Sequence, residues 1–103
     1  MLKRRRFEEV ISRQLDLFVR ENVELLDACD AAERAYDRAE RAEAEERFGD
    51  YQDLVETGTE ILADLRDNFA STLDEASAEE YEDDFNRAVT KRLPRFGLEI
   101  ENR

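Results

Sequence analysis

The chain has 103 residues, of which 43% are charged and 41% apolar, and it carries a net charge of −12 with no histidine. Its size suits one small domain, and its acidity disfavours general binding to the phosphates of DNA or RNA. The lack of histidine excludes the usual Ser-His-Asp and Cys-His nucleophiles and zinc sites built on His, and the single Cys29 excludes an intrachain disulfide.

The first predicted element is one long helix over about residues 3–47, because no glycine or proline interrupts the stretch from Phe7 to Arg47. Along it, apolar side chains recur in alternating steps of four and three, which is the heptad spacing of a coiled coil. We expect this stripe to form the interface of a homodimer. Its members are Ile11, Leu15, Phe18, Asn22, Leu25, Cys29 and Tyr36.

Two members of the stripe are not ordinary apolar residues. Asn22 lies between Phe18 and Leu25, where a buried Asn pairs with its own copy and fixes the register of a dimer. Alternatively, it lies at the edge of the stripe and binds water. Cys29 is predicted to be a small buried hydrophobe, and the alternative is a disulfide across a two-fold axis.

A basic cluster, Lys3 to Arg6, precedes the stripe. We expect it to be a solubilising terminus that pairs with the acidic surface of a neighbour, and the alternative is a contact with an anionic membrane or nucleic acid. No apolar run long enough for a secretory signal or a membrane span follows the cluster. The expected compartment is therefore the cytoplasm, with no membrane span.

A turn is predicted at Phe48-Gly49-Asp50, because Gly49 can close one helix in the left-handed conformation and Asp50 can cap the next. The second helix then covers about residues 50–75, with apolar residues at helical spacing. Gly58 falls in the middle of that apolar face. Since glycine weakens a helix interior, we expect a close contact with another backbone there.

A third helix is predicted over about residues 78–92, because Ser77 and Glu80 have the spacing of a capping box. Pro94 should end it. The tail, residues 94–103, is predicted to be extended, since its apolar residues alternate as in a strand. We expect this tail to bind a partner through Phe96, Leu98 and Ile100.

These elements predict an all-α fold in a single helical domain, residues 1–103. Its architecture is a long antiparallel helical hairpin with a third, shorter helix and an extended C-terminal tail, assembled as a dimeric helical bundle. The sequence suggests no catalytic or metal-binding residue and no cofactor. The predicted function is that of a non-enzymatic interaction protein, an adaptor, assembly factor or regulator, whose partners are a second copy of itself and another protein.

A carboxylate-magnesium hydrolase is one alternative. Acidic residues three apart share a helix face and could hold Mg²⁺ together. Such pairs are Glu21/Glu24, Glu43/Glu46 and Glu80/Asp83. In this spacing the chain resembles the all-α nucleoside triphosphate pyrophosphohydrolases, which implies nucleotide hydrolysis with Mg²⁺. The pairs are, however, more widely separated than in that family, and no pocket of basic and aromatic residues is evident.

A small exported protein is the other alternative. The predicted turn reads Arg47-Phe48-Gly49 and joins two helices in a chain of about 100 residues. In this the chain resembles the helical hairpins exported by type VII secretion. Those proteins have Trp-x-Gly in the turn and Tyr-x-x-x-Asp/Glu after the second helix. Here the turn has no Trp, Tyr81 is followed at the fourth position by Phe85, and Tyr36-x-x-x-Glu40 lies inside the first predicted helix.

Overall fold

A computed structural model describes residues 6–103, and these residues form five helices with no strand among them. The helices are α1 (Glu8–Glu21), α2 (Val23–Asp37), α3 (Ala44–Ala70), α4 (Glu75–Arg92) and α5 (Pro94–Ile100). The all-helical prediction is confirmed. Lys3, Arg4 and Arg5 of the basic cluster lie outside the described residues.

The long first helix is interrupted at Asn22, which leaves the helical region with φ −123° and ψ 34°. Its side-chain Nδ2 donates to the carbonyl oxygen of Phe18 at 2.9 Å, and its backbone N–H donates to the same oxygen at 3.0 Å. Asn22 therefore closes α1 and starts α2, because a short amide competes well for backbone groups at a helix end. The prediction of one unbroken helix over about residues 3–47 is wrong.

The turn between α2 and α3 covers residues 38–43, and the predicted turn at Phe48-Gly49-Asp50 is wrong. Gly49 lies inside α3, and no glycine among the described residues has a positive φ. The true turn consists of Arg, Ala and Glu, which are good helix formers, so local propensity gives no sign of it. Packing of α2 against α3 imposes it instead.

The boundary between α3 and α4 is set by Asp74. Helix α3 ends at Ala70, and the Asp74 Oδ1 atom accepts a hydrogen bond from the backbone N–H of Ser77 at 2.9 Å. Asp74 thereby caps α4, which begins at Glu75 instead of near residue 78. Ser77 is the donor to this cap and not the cap itself, so the predicted capping box is wrong.

The C-terminal tail is helical, and the extended conformation predicted for residues 94–103 is wrong. Pro94 is the first residue of α5, a position where proline's fixed φ suits the helix and its missing N–H is not needed. Phe96 and Ile100 are four residues apart and lie on one helix face, while Leu98 lies on the other. The alternation of apolar residues is typical of a strand, but the relevant pattern is the helical spacing of four between Phe96 and Ile100.

The five helices form a helical bundle in which α3 is central and contacts α2, α4 and α5, while α1 packs on α4. Residues 6–29 and 55–103, here called the head, contain every buried residue that the structure describes. Residues 30–54, here called the arm, contain none. Arm and head together make a molecule of 51 × 26 × 25 Å.

The core of the head combines large apolar side chains with a few satisfied polar groups. The Tyr81 hydroxyl donates to Gln14 Oε1 at 2.8 Å, and burial raises the pKa of Tyr81 to about 12. Arg66 is only 4% exposed, and its Nη1 donates to Asn86 Oδ1 at 2.9 Å and to the carbonyl oxygen of Ile100 at 3.1 Å. Arg66 thus ties α5 to α3 and α4. Within residues 6–103, no helix is both long and apolar enough to span a membrane.

Candidate functional site

The arm is two helices thick and consists of the second half of α2, the turn and the first part of α3, residues 44–54. Tyr36 of α2 touches Phe48 of α3, and Arg95 bridges Glu33 of α2 to Tyr51 of α3. The later residue of α2 thus lies beside the earlier residue of α3, so the two helices are antiparallel here. A pair of helices has only one contact surface between them, which explains why no residue of the arm is buried.

An aromatic pair lies at the far end of the arm. The ring centroids of Tyr36 and Phe48 are 5.4 Å apart at an interplanar angle of 56°, a favourable geometry for aromatic contact. Even so, Tyr36 remains 40% exposed and Phe48 43% exposed. These two rings are the largest apolar groups that the arm presents to solvent.

The base of the arm is fastened to the head by Arg95 of α5. Its guanidinium pairs with Asp30 Oδ1 at 2.9 Å and Glu33 Oε1 at 3.0 Å, and its Nε donates to the Tyr51 hydroxyl at 3.2 Å. Burial by itself would lower the pKa of Arg95, but the bonds to Tyr51 and Asp30 outweigh it and raise the pKa above the ordinary value. The arm and α5 are thus held by a permanent charge.

A shallow groove of about 500 Å³ lies beside this contact, between α2, α3 and the junction of α4 with α5. Its floor is apolar, and Arg95, the most deeply placed of its cations, is already paired with Asp30 and Glu33. Arg92 at its edge is also engaged, because its guanidinium pairs with Asp16 and donates to the carbonyl oxygen of Ser12. Both arginines of the groove are therefore already engaged in contacts within the chain, and Arg95 joins the head to the arm.

The side of the arm away from α5 is lined by small and charged residues. A Cβ added at Gly49 would meet nothing within 4 Å, so the space above this glycine is open. Arg34 and Arg38 have no ion pair within residues 6–103, and neither do Glu45 and Glu56 on α3. A mid-helix glycine costs about 1 kcal/mol against alanine, and no contact from the described residues, 6–103, offsets that cost at Gly49.

The residues of the stripe predicted as a dimer interface lie in different environments in the structure. Four of its members are buried in the core of the head and are covered by the chain's own helices. They are Ile11, Leu15, Phe18 and Cys29. Leu25 packs partly against that core, and Asn22 ends α1. Only Tyr36 is exposed. The homodimer stays a prediction, but its interface must use other surfaces, because α4 and α5 cover most of the stripe.

The residues of the predicted partner-binding tail also lie in different environments. Phe96 and Ile100 are buried in the head, and Leu98 alone is free, at 81% exposure. Gly58 and Gly97 explain this docking, because a Cβ at Gly58 would lie 2.4 Å from the Phe96 ring and one at Gly97 would lie 2.9 Å from Thr90 Cα. A close contact is present at Gly58, but the Phe96 side chain supplies it, so the prediction of another backbone at this position is wrong.

Cys29 has no access to a second copy of the chain in this structure. It is fully buried at the level of the arm's base, and burial raises the pKa of its thiol. A raised pKa and a covered sulfur disfavour both oxidation and disulfide exchange. The interpretation as a small buried hydrophobe fits this environment.

The three acidic pairs considered for magnesium remain apart. All six carboxylates are on exposed residues, and Glu21 and Glu24 lie on either side of the break at Asn22. In the part of the chain that the structure describes, no three acids or cysteines come close enough to hold a metal ion. The structure therefore adds no support to the hydrolase alternative.

Sequence reasoning missed the residues that shape the arm, namely Gly49, Arg95 and Phe48 as an exposed ring. Gly49 and Phe48 were assigned to a turn, and nothing in the sequence marks Arg95 as the partner of two acids more than 60 residues away. Comparisons with protein-family models, with curated proteins and with solved structures give no match for this chain.

Proposed function

We propose that the protein is a non-enzymatic interaction protein that works as a homodimeric helical bundle, in the role of an adaptor, assembly factor or regulator. The observation that carries the proposal is the arm, a two-helix extension whose aromatic pair, Tyr36 and Phe48, is about 40% exposed on each ring. The head buries its own core, whereas no residue of the arm is buried.

The arm consists of only two packed helices. A helix must cover its apolar side against another element, and domains consist of two or three packed layers of such elements around one hydrophobic core. The arm has only α2 against α3 and leaves both outer sides in water. Burying apolar area contributes about 25 cal/mol per Å², so covering two half-exposed aromatic rings favours association.

The chemistry of the arm favours a protein as its partner. Arg34 and Arg38 alternate with acids along α2, and exposed acids follow along the outer side of α3. A nucleic acid would be repelled by the excess of acids, whereas a protein surface offers both signs of charge around apolar groups. A second copy of the chain has that composition.

The test is the oligomeric state of the intact chain. We expect sedimentation equilibrium to show a dimer of the 12.1 kDa chain that dissociates on dilution, and a melting temperature that rises with protein concentration. Replacing Tyr36 and Phe48 together by Ser should weaken the dimer. The control Leu98→Ser alters an exposed apolar residue outside the arm and should leave association unchanged.

A chain that remains monomeric at concentrations of about 200 µM, corresponding to an association free energy weaker than about −5 kcal/mol, overturns the homodimer. A dimer that is weakened by Leu98→Ser and not by the double replacement in the arm moves the interface to α5.

A further inference from the structure

Three glycines of the chain lie inside helices, and two of them are explained by close contacts within the chain. The Phe96 ring lies over Gly58, and Thr90 lies against Gly97. Gly49 is different, because the space that its missing side chain leaves is open. A close approach by a helix from outside the chain would give Gly49 the same role as the other two.

Gly49 belongs to one side of the arm, which we call the Gly49 face. At 100° per residue, it lies away from Tyr51, where Arg95 and α5 pack. On α2 the corresponding side lies away from Glu33, the other contact of Arg95. The members of the Gly49 face are Ala31 and Ala35 on α2, and Glu45, Gly49 and Gln52 on α3. The two alanines and Gly49 are short enough to allow a facing helix to approach to about 8 Å between axes at their level.

The charges at the rim of the Gly49 face select its occupant. Arg34 and Arg38 lie along its α2 side and Glu45 lies on its α3 side, and none of the three has an ion pair within residues 6–103. A uniformly basic partner would be repelled by the arginines, and a uniformly acidic one by Glu45. A second arm turned about a two-fold axis offers acids to the arginines and arginines to the acids.

The positions of these charges along the axis of the arm, here called their heights, agree with that arrangement. Contact of Tyr36 with Phe48 fixes the register of α2 against α3, so Arg38 and Glu45 lie at about the same height along the arm. A two-fold axis parallel to the arm keeps heights unchanged and places α2 of one copy against α3 of the other. Arg38 of each copy then lies opposite Glu45 of its partner.

We infer that the Gly49 face is where two copies of the chain pack, with two arms forming four helices around a two-fold axis. The inference rests on the proposed homodimer and names its interface. Close packing occurs over Gly49, and the pairs of Arg38 with the partner's Glu45 set the orientation.

The first test fills the open space. Gly49→Leu fits the single chain, since nothing lies within 4 Å, but blocks close approach of a second arm. We expect the dissociation constant of the dimer to rise by about tenfold or more, while the melting temperature of the dilute monomer does not fall. The control Thr57→Leu changes an exposed residue that faces away from α2 and from the Gly49 face. It should leave the dissociation constant within about twofold.

The second test exchanges charges between chains. Arg38→Glu and Glu45→Arg each place like charges opposite one another in a homodimer, so each variant alone should dimerise more weakly. An equimolar mixture restores both pairs in the heterodimer, and native mass spectrometry should show that the heterodimer predominates. Pairing inside one chain could not produce this rescue.

The outcomes separate the two proposals. If the wild-type chain is a monomer, the proposed function and the interface fail together. If the wild type dimerises, and Gly49→Leu and the charge variants dimerise equally well, only the Gly49 face is overturned. The same holds if the mixture of charge variants shows no preference for the heterodimer.

Discussion

The head and the arm use opposite means to make helices pack. In the head, large side chains interdigitate: Tyr81 contacts the rings of Phe7, Phe69 and Phe85, and Phe96 fills the space above Gly58. In the arm, the residues between the helices are mostly alanine, and the surfaces carry charges of both signs. The head therefore derives its stability from contacts within the chain, whereas the arm has little apolar surface buried and keeps two open sides.

That difference assigns stability to the head and, in the proposed dimer, association to the arm. A fully buried side chain such as Phe85 stabilises the fold and is unavailable to any partner. Residues of the arm contribute little to the fold, so in the proposed dimer their identity is free to suit the surface that they would bind. Arg95 links the two regions, because it belongs to α5 of the head and pairs with two acids of the arm.

The largest expected effect comes from α5, where neighbouring apolar residues have opposite roles. Phe96→Ala removes a ring that is 1% exposed, and we expect the free energy of unfolding to fall by about 3–5 kcal/mol. Leu98→Ala removes a side chain that is 81% exposed and should change it by less than about 0.5 kcal/mol. Urea unfolding followed by circular dichroism measures both. Similar losses for the two variants would show that α5 is not docked through its Phe96 side.

Much of the head could be predicted from the sequence, because its signals are strong and redundant. The heptad spacing of Ile11, Leu15 and Phe18 correctly indicated a helix with a buried side. What the spacing could not show is which element covers that side. Packing by α4 and α5 depends on contacts between residues more than 60 positions apart, such as the Tyr81 bond to Gln14, and no local pattern encodes them.

The arm was less predictable, because its signals are weak and point the wrong way. Residues 38–43 form the turn although they favour helix, and Gly49 lies in a helix although it favours a turn. Asn22 in the head is a similar case, because its hydrogen bond to Phe18 decides its role and its place in the stripe does not. At the turn and at Asn22, a tertiary contact or an end-capping bond overrides a propensity of about 1 kcal/mol or less.

Replacing two glycines by alanine should have effects of intermediate size and opposite sign on the free energy of unfolding. Gly58→Ala places a Cβ 2.4 Å from the buried Phe96 ring, so we expect a net loss of about 1–3 kcal/mol in the free energy of unfolding. Gly49→Ala meets open space and should raise that free energy by about 1 kcal/mol through better helix propensity. Both should be measured by urea unfolding at about 1 µM, where a weak dimer is dissociated. A change of the same sign at both sites would contradict the contrast between head and arm.

The smallest effect concerns how the helices of the two regions begin. In the head, α4 is capped by Asp74, and the Ser77 backbone N–H, the Ser77 hydroxyl and the nearby Arg6 hold the pKa of this carboxyl below its usual value of 3.8. In the arm, α3 begins at Ala44, and its N-cap residue Glu43 makes no side-chain capping bond. Because the pKa of Asp74 is lower in the folded chain, its charge stabilises the fold above about pH 4 and this contribution is lost as the pH falls below that value.

Asp74→Asn keeps a capping side chain that does not titrate. The stability difference between wild type and Asp74→Asn should therefore be constant from about pH 7 to pH 5 and should shift against the wild type near pH 3. Ser77→Ala removes the hydroxyl bond but keeps the backbone donor, so it should retain part of this pH dependence. Urea midpoints at the three pH values provide the measurement. A difference that stays the same down to pH 3 would mean that the ionised form of Asp74 has no advantage over a neutral cap.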